Sequence, residues 1–248
     1  MGFNFVEALG VFTILIDPRT PTTVYVGTNG SGDLGAVFKS TNGGGSWSPG
    51  SSGLPVTFPA SLVKGLAMDA SSPTTLYAAT GGGGVFKTTD AGRQWTATNT
   101  GLRASEIPGL FARPLVIDPR SPNVLYASTG GNGVFKSTNG GASWLSANTG
   151  FLAHNMTLAV DPVTQTTLYA GTPNTASSVT VSVFKSTDGG LHWTPAGLVS
   201  VLVRDLAVDP QTPSTVYAGT SVVGALASSG GVFKTTDGGV LPSPSIPR

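Results

Sequence analysis

The decapeptide Phe38-Lys39-Ser40-Thr41-Asn42-Gly43-Gly44-Gly45-Ser46-Trp47 returns as Phe86 to Trp95, Phe135 to Trp144 and Phe184 to Trp193. A fifth copy, Phe233 to Gly239, lacks the Trp. Successive Phe residues lie 48, 49, 49 and 49 positions apart. A period in this range specifies a propeller, a solenoid or an array, because one repeat cannot bury its apolar face alone. Each repeat opens with a short apolar run ending at Asp: Ile14 to Asp17, Leu66 to Asp69, Leu115 to Asp118, Leu158 to Asp161 and Leu206 to Asp209. Runs this short, bounded by turn residues, predict strands buried on both faces. A Pro- and Ser/Thr-rich turn follows, where the Asp can accept backbone N–H groups just ahead of it. A second strand carries Tyr25, Tyr77, Tyr126, Tyr169 or Tyr217, and the Phe-Lys strand, the Gly-rich turn and the Trp strand complete the unit. The pattern predicts four antiparallel strands per repeat and no helix.

The Gly-rich turns carry a family resemblance. Ser40-x-Asn42-x-Gly44-x-x-Trp47, Thr88-x-Asp90-x-Gly92-x-x-Trp95, Ser137-x-Asn139-x-Gly141-x-x-Trp144 and Ser186-x-Asp188-x-Gly190-x-x-Trp193 resemble Asp-boxes. Thr235, Asp237 and Gly239 form the incomplete fifth. Such boxes are the BNR repeats of sialidases, sortilin-type receptors, xyloglucanase-like glycosidases and photosystem assembly factors. The resemblance implies an all-β fold, a β-propeller of about five four-stranded antiparallel blades, with one box per blade between strands three and four. In that setting each box is a scaffold turn, and its Trp packs between blades. Burying about 200 Å² of indole contributes up to about 5 kcal/mol, against about 1 kcal/mol for each hydrogen bond of the turn.

These readings make residues 1–240 a single propeller, with a Pro/Ser-rich tail over 241–248. The fifth repeat has no Trp strand. Phe3 to Val6 is expected to close the ring as the outer strand of the fifth blade, which would remove exposed sheet edges. The alternative is a portion of a longer propeller.

Comparing the repeats with one another separates scaffold from candidate site. Asp-to-Tyr spacing is eight in all five copies, and Phe-to-Trp spacing is nine in all four complete copies. These turns share one face. The connections between strands two and three, and between blades, vary in length and share the other, where binding sites usually lie. Five positions before the repeat Asp, at the entry to the first strand, stand Lys64, Arg113 and Arg204; Phe12 and Met156 take the place in repeats one and four. Three cations there could ring a central channel and hold a carboxylate or sulfate, loosely like the arginine triad of sialidases. Local pairing, such as Arg204 with Asp205, is the competing reading.

The remaining acids outside repeat positions are Glu7, Asp33, Glu106 and Asp205. A retaining or inverting glycosidase needs two carboxylates facing each other, so Asp33, Glu106 and Asp205 are the candidates for that chemistry. Glu106 is the only mid-chain Glu, and all five Tyr residues sit at repeat positions, which leaves a sialidase without its Tyr–Glu pair. The chain has no cysteine and a net charge of +1. Thiol chemistry is excluded, and there is no bulk electrostatic case for nucleic acid. No cofactor motif, metal set or membrane span is expected. The reading is therefore a non-enzymatic module binding a glycan, peptide or protein partner on the variable face. A glycoside hydrolase and a structural or assembly scaffold are the alternatives. The weakly charged, Ser/Thr/Gly-rich composition points to an extracellular or periplasmic setting.

Overall fold

The computed structural model describes residues 10–30, 36–57, 61–102, 115–129, 133–149, 157–172, 181–199, 201–221 and 230–238. Nineteen strands form five antiparallel sheets, the blades of a five-bladed β-propeller, with no helix among the described residues. Blade one comprises β1 (Val11–Ile16), β2 (Val24–Thr28), β3 (Val37–Ser40) and β4 (Ser48–Pro49). Blade two comprises β5 (Val63–Met68), β6 (Leu76–Thr80), β7 (Gly84–Thr88) and β8 (Thr96–Ala97). Blade three comprises β9 (Leu115–Ile117), β10 (Leu125–Thr129), β11 (Gly133–Ser137) and β12 (Leu145–Ser146). Blade four comprises β13 (Thr157–Val160), β14 (Leu168–Gly171), β15 (Val183–Ser186) and β16 (Thr194–Pro195). Blade five has three described strands: β17 (Leu202–Val208), β18 (Val216–Ser221) and β19 (Val232–Thr235). Strands are hydrogen-bonded in sequence order within every blade. The expected closing segment Phe3 to Val6 and the tail over 241–248 lie outside the described residues.

The chain divides into two compact units. The first comprises Met1–Leu110, Leu115–Ala127 and Ser137–Leu145; the second comprises Phe111–Pro114, Ser128–Lys136 and Ser146–Arg248. The core of the first gathers Tyr25, Val37, Val63, Leu76, Phe86 and Trp95. The core of the second gathers Tyr169, Val183, Leu198, Val201, Val203 and Leu206.

Cross-strand register gives each blade two chemically distinct faces. In blade two, Ala67, Tyr77 and Lys87 lie opposite one another on one face, and Leu66, Ala78 and Phe86 on the other. The same arrangement recurs in blade five as Ala207, Tyr217 and Lys234 against Leu206, Ala218 and Phe233. Period-2 alternation thus sorts the repeat into a Tyr–Lys face and a Phe face.

The expectation that every first strand is buried on both faces holds for β5, all six residues of which are buried. It fails for β1, where Ile14 and Ile16 are 65% and 55% exposed. It fails also for β17, where Arg204 and Ala207 are exposed. The physical difference is stacking. β5 is packed against blade one on its Phe face and against β9 on its Tyr–Lys face, whereas the Phe face of β1 carrying the two isoleucines is open.

Candidate functional site

The constant face is built from two hydrogen-bonded turns per blade. In the first turn, Asp17 accepts the N–H groups of Arg19 and Thr20 at 2.8 and 3.2 Å. Asp69, Asp118, Asp161 and Asp209 each accept the equivalent pair. In the second turn, the Ser or Thr hydroxyl donates to the Asn or Asp two residues on, at 2.9 Å from Ser40 to Asn42 and 2.6 Å from Thr88 to Asp90. That hydroxyl oxygen in turn accepts the N–H of Gly44, Gly92, Gly141 or Gly190. The Asn or Asp oxygen accepts the N–H four residues on, from Ser46, Gln94, Ser143 or His192.

The Asn-for-Asp exchange has a local reason. Where Asn stands, its amide donates to a Ser hydroxyl four residues on, Asn42 to Ser46 and Asn139 to Ser143. Where Asp188 stands, the residue four on is His192, with Nδ1 2.6 Å from the carboxylate. Those hydrogen bonds from His192, with that of Ser186, hold the Asp188 carboxyl down at about 2.

The turn needs two left-handed residues in succession, one more than its glycine pattern alone requires. Gly140 and Gly141 have φ of 66° and 85°. In blade two the first place is filled by Ala91 at φ 61°, a conformation costly for a residue with a Cβ.

These turns also lock neighbouring blades. The Tyr77 hydroxyl and Lys87 Nζ converge on the carbonyl of Gly140, each at 3.1 Å. Tyr169 and Lys185 converge likewise on Gly238, and Lys136 donates to Gly189. In return, three tryptophans reach back: the indole N–H of Trp95 donates to the Gly50 carbonyl at 2.8 Å, Trp144 to Thr98 and Trp193 to Ala147. Trp95, Trp144 and Trp193 are 1–4% exposed, as expected of indoles packed between blades. Trp47 is the exception, only half-buried.

A further scaffold element lies in the connections assigned to the variable face. Ser51, Asn99 and Asn148 each stand four residues after a Trp. Ser51 Oγ accepts the N–H groups of Ala36 and Val37, and Asn99 Oδ1 accepts that of Val85 at 2.7 Å. Gly53 and Gly101 follow at φ 87° and 86°, where a Cβ would stand 2.1 Å from the carbonyl oxygen of Trp95 and Trp144. The signal was present in the sequence as a polar residue at Trp+4 and a Gly at Trp+6. Variable total loop length concealed it.

On the variable face, the cation position coincides with a β-bulge. The β1–β2 register slips between Val11 and Thr13, the β5–β6 register between Val63 and Gly65, and the β17–β18 register between Val203 and Asp205. The residues at the slips are Phe12, Lys64 and Arg204, those five positions before the repeat Asp. A bulge re-aims the side chain it carries and is enriched next to functional sites. Sequence spacing located these residues but gave no sign of the bulge.

Within the first unit, Lys64 Nζ lies 5.8 Å from the centre of the Phe12 ring. The bulge residues of blades one and two therefore meet as a cation–π pair. Lys64 is 4% exposed, and burial pushes its ammonium down to about 8. Within the second unit, Arg204 is exposed, and its Nε donates to Ser221 Oγ at 2.9 Å. Arg113 lies outside the described residues. Asp205 is half-buried and accepts from Thr157 Oγ1 at 3.5 Å and from the Leu206 N–H at 3.1 Å. Asp33 and Glu106, the other carboxylates weighed for hydrolysis, lie outside the described residues. Among the described residues no group of His, Asp or Glu is arranged to hold a metal ion.

No protein-family model matches the sequence, and no curated protein matches it. Solved structures do match. A GH74 enzyme from Niastella koreensis superimposes with a TM-score of 0.69 at 24% identity, over 95% of this chain and 38% of its own. YCF48 from Cyanidioschyzon merolae gives 0.62 at 15% identity, over 92% of this chain and 67% of its own. A structure of YCF48 bound to D1 peptide gives 0.54 at 12% identity, over 94% and 80%. The chain spans well under half the length of the GH74 enzyme. At these identities the likeness is one of fold. No helix among the described residues is long and apolar enough to cross a membrane.

Proposed function

We propose that this chain is a non-enzymatic Asp-box propeller that binds an acidic glycan, peptide or protein segment on its variable-loop face. The observation that carries the reading is the coincidence of Lys64 and Arg204 with β-bulges at the entry to the first strand of their blades. Two features of the carboxylates support a binding role over hydrolysis. Each described Asp at a repeat position accepts hydrogen bonds within its own turn. Asp205 is the one described carboxylate outside those turns, and it faces a threonine hydroxyl. In this reading the exposed Arg204 guanidinium, hydrogen-bonded to Ser221, contributes the positive charge that draws a carboxylate or sulfate. Lys64 supplies positive charge from beneath the surface of its own blade, and Arg113 is the third cation of the sequence pattern. The fold shared with YCF48, seen elsewhere bound to a peptide, suits a segment lying across such a face.

A second reading, favoured by the fold shared with a GH74 enzyme, is glycoside hydrolysis by carboxylates among Asp33, Glu106 and Asp205. One experiment separates the two. The protein is incubated with sulfated, carboxylated and neutral oligosaccharides and with acidic peptides, and retention and cleavage are read together. Retention of acidic ligands without cleavage is the expected result. Cleavage of any oligosaccharide would overturn the binding reading and direct mutagenesis to the three carboxylates.

A further inference from the structure

Two of the box turns carry a chemically reactive pair of residues. Asn42-Gly43 and Asn139-Gly140 are Asn-Gly sequences, whereas the boxes of blades two and four read Asp90-Ala91 and Asp188-Gly189. In an Asn-Gly pair the glycine backbone nitrogen can attack the preceding side-chain amide, because no Cβ obstructs its approach. The bond from Cγ to the glycine nitrogen forms and the Cγ–Nδ2 bond breaks. The amide nitrogen leaves as ammonia, carrying the proton of the attacking N–H. Water then opens the resulting succinimide at either carbonyl. Opening at Cγ yields Asp, and opening at the main-chain carbon yields isoaspartate.

Every group in this reaction is engaged in the fold. The Gly43 N–H donates to the Thr22 carbonyl at 2.8 Å, and the Gly140 N–H to that of Asn123 at 2.9 Å. Asn42 Oδ1 accepts the Ser40 hydroxyl at 2.9 Å and the Ser46 N–H at 2.8 Å, while its Nδ2 donates to the Ser46 hydroxyl at 3.0 Å. Asn139 makes the same three bonds with Ser137 and Ser143, at 2.9, 2.9 and 2.8 Å. Two donors on Oδ1 polarise the amide toward attack, as an oxyanion hole does. The nucleophile decides the balance, because its N–H is committed to a carbonyl outside the box. Ring closure must free that proton and swing the side chain off its Ser partners.

We infer that Asn42 and Asn139 are modification sites held closed by their own turns, and that each deamidates with water when its turn opens. The two products have different consequences. Asp restores the box of blades two and four, where Asp90 and Asp188 accept the same hydroxyl and backbone N–H bonds. Isoaspartate routes the backbone through Cβ and Cγ, which lengthens the turn by a methylene and moves the carboxylate onto Cα. The bonds that join Ser40 to Asn42 and Asn42 to Ser46 then lose their acceptor, so a box that opens and returns as isoaspartate is permanently altered.

Peptide mapping by mass spectrometry, with isoaspartate counted by enzymatic methyl labelling, tests this. The wild type is incubated at one mildly alkaline pH in buffer and in guanidinium chloride, beside Ser46→Ala and Ser143→Ala in buffer. Reaction through local opening is slowed by the opening equilibrium, so both sites should deamidate at least about 10-fold more slowly in the fold than in guanidinium. Ser46→Ala removes the Nδ2 partner of Asn42 and should speed that site roughly 2- to 10-fold, the factor one hydrogen bond supplies, with Asn139 at its wild-type rate. Ser143→Ala should do the reverse. Equal rates in buffer and guanidinium, or faster reaction in the fold, would overturn the inference. A serine substitution felt equally at both sites, or at neither, would overturn the claim that each turn guards its own asparagine.

Discussion

The carbonyl of Gly140 is buried and receives two donors from the preceding blade, the Tyr77 hydroxyl and Lys87 Nζ, both at 3.1 Å. Removing one donor leaves the other in place. Tyr77→Phe and Lys87→Met should therefore each cost about 1 kcal/mol, the usual net value of one hydrogen bond. Removing both orphans a buried carbonyl, which adds a desolvation penalty of about 1–3 kcal/mol. The double variant should then lose roughly 3–5 kcal/mol, more than the sum of the singles, a coupling of the size found for residues sharing one partner. In a domain of this length that loss corresponds to a melting point lower by about 6–20 °C. The assay is equilibrium urea unfolding followed by tryptophan fluorescence, which reports on the buried Trp95 and Trp144 at the blade interfaces. Additive losses within about 0.5 kcal/mol, or a double variant no worse than the weaker single, would refute the claim that these donors act on one carbonyl.

Other outcomes follow from the same geometry. Ala91→Gly should raise stability by up to about 1 kcal/mol, since relief of a left-handed alanine outweighs the entropy of the new glycine, and thermal unfolding reads it directly. Gly53→Ala should lower stability by about 3 kcal/mol, because its Cβ would meet the Trp95 carbonyl in a left-handed backbone. The Lys64 ammonium titrates near 8 in the fold and near 10.5 when unfolded, so between these values the unfolded chain holds more protons. Stability should consequently rise with pH across that window, and Lys64→Met should flatten the rise while stabilising the protein at pH 7. Asp188 shows the opposite sign. Its depressed carboxyl contributes stability above about pH 4 that is lost as pH falls toward 2, and Asp188→Asn should fold at neutral pH yet show a shallower acid loss in the same window.

The repeat made the blades legible because identical turns recur at fixed spacing, and the side-chain hydrogen bonds that shape each turn join residues within four positions of one another. Asp17 to Arg19, and Ser40 to Gly44, need nothing from elsewhere in the chain. What escaped the sequence depends on neighbours. Ile14 and Leu66 occupy the same place in the repeat, and only the stacking of a second sheet makes one exposed and the other buried. Trp47 has the same local motif as Trp95 but not the same packing. The cation position was visible as a five-residue offset from Asp69, Asp118 and Asp209. Its bulge was not, because register slips are settled by pairing with the second strand. The hydrogen bonds of Ser51 and Asn99 to the third strands were hidden inside loops of unequal length.

The most direct test of the binding account is the affinity of a polyglutamate peptide and of a sulfated oligosaccharide for wild type and Arg204→Ala, measured by titration calorimetry. A charge-assisted hydrogen bond contributes about 1.5–3 kcal/mol, so the account predicts roughly a 10- to 100-fold loss of affinity for the retained ligand, with unchanged melting behaviour. Equal affinity in the two proteins, or no binding of either acidic probe by the wild type, would contradict it.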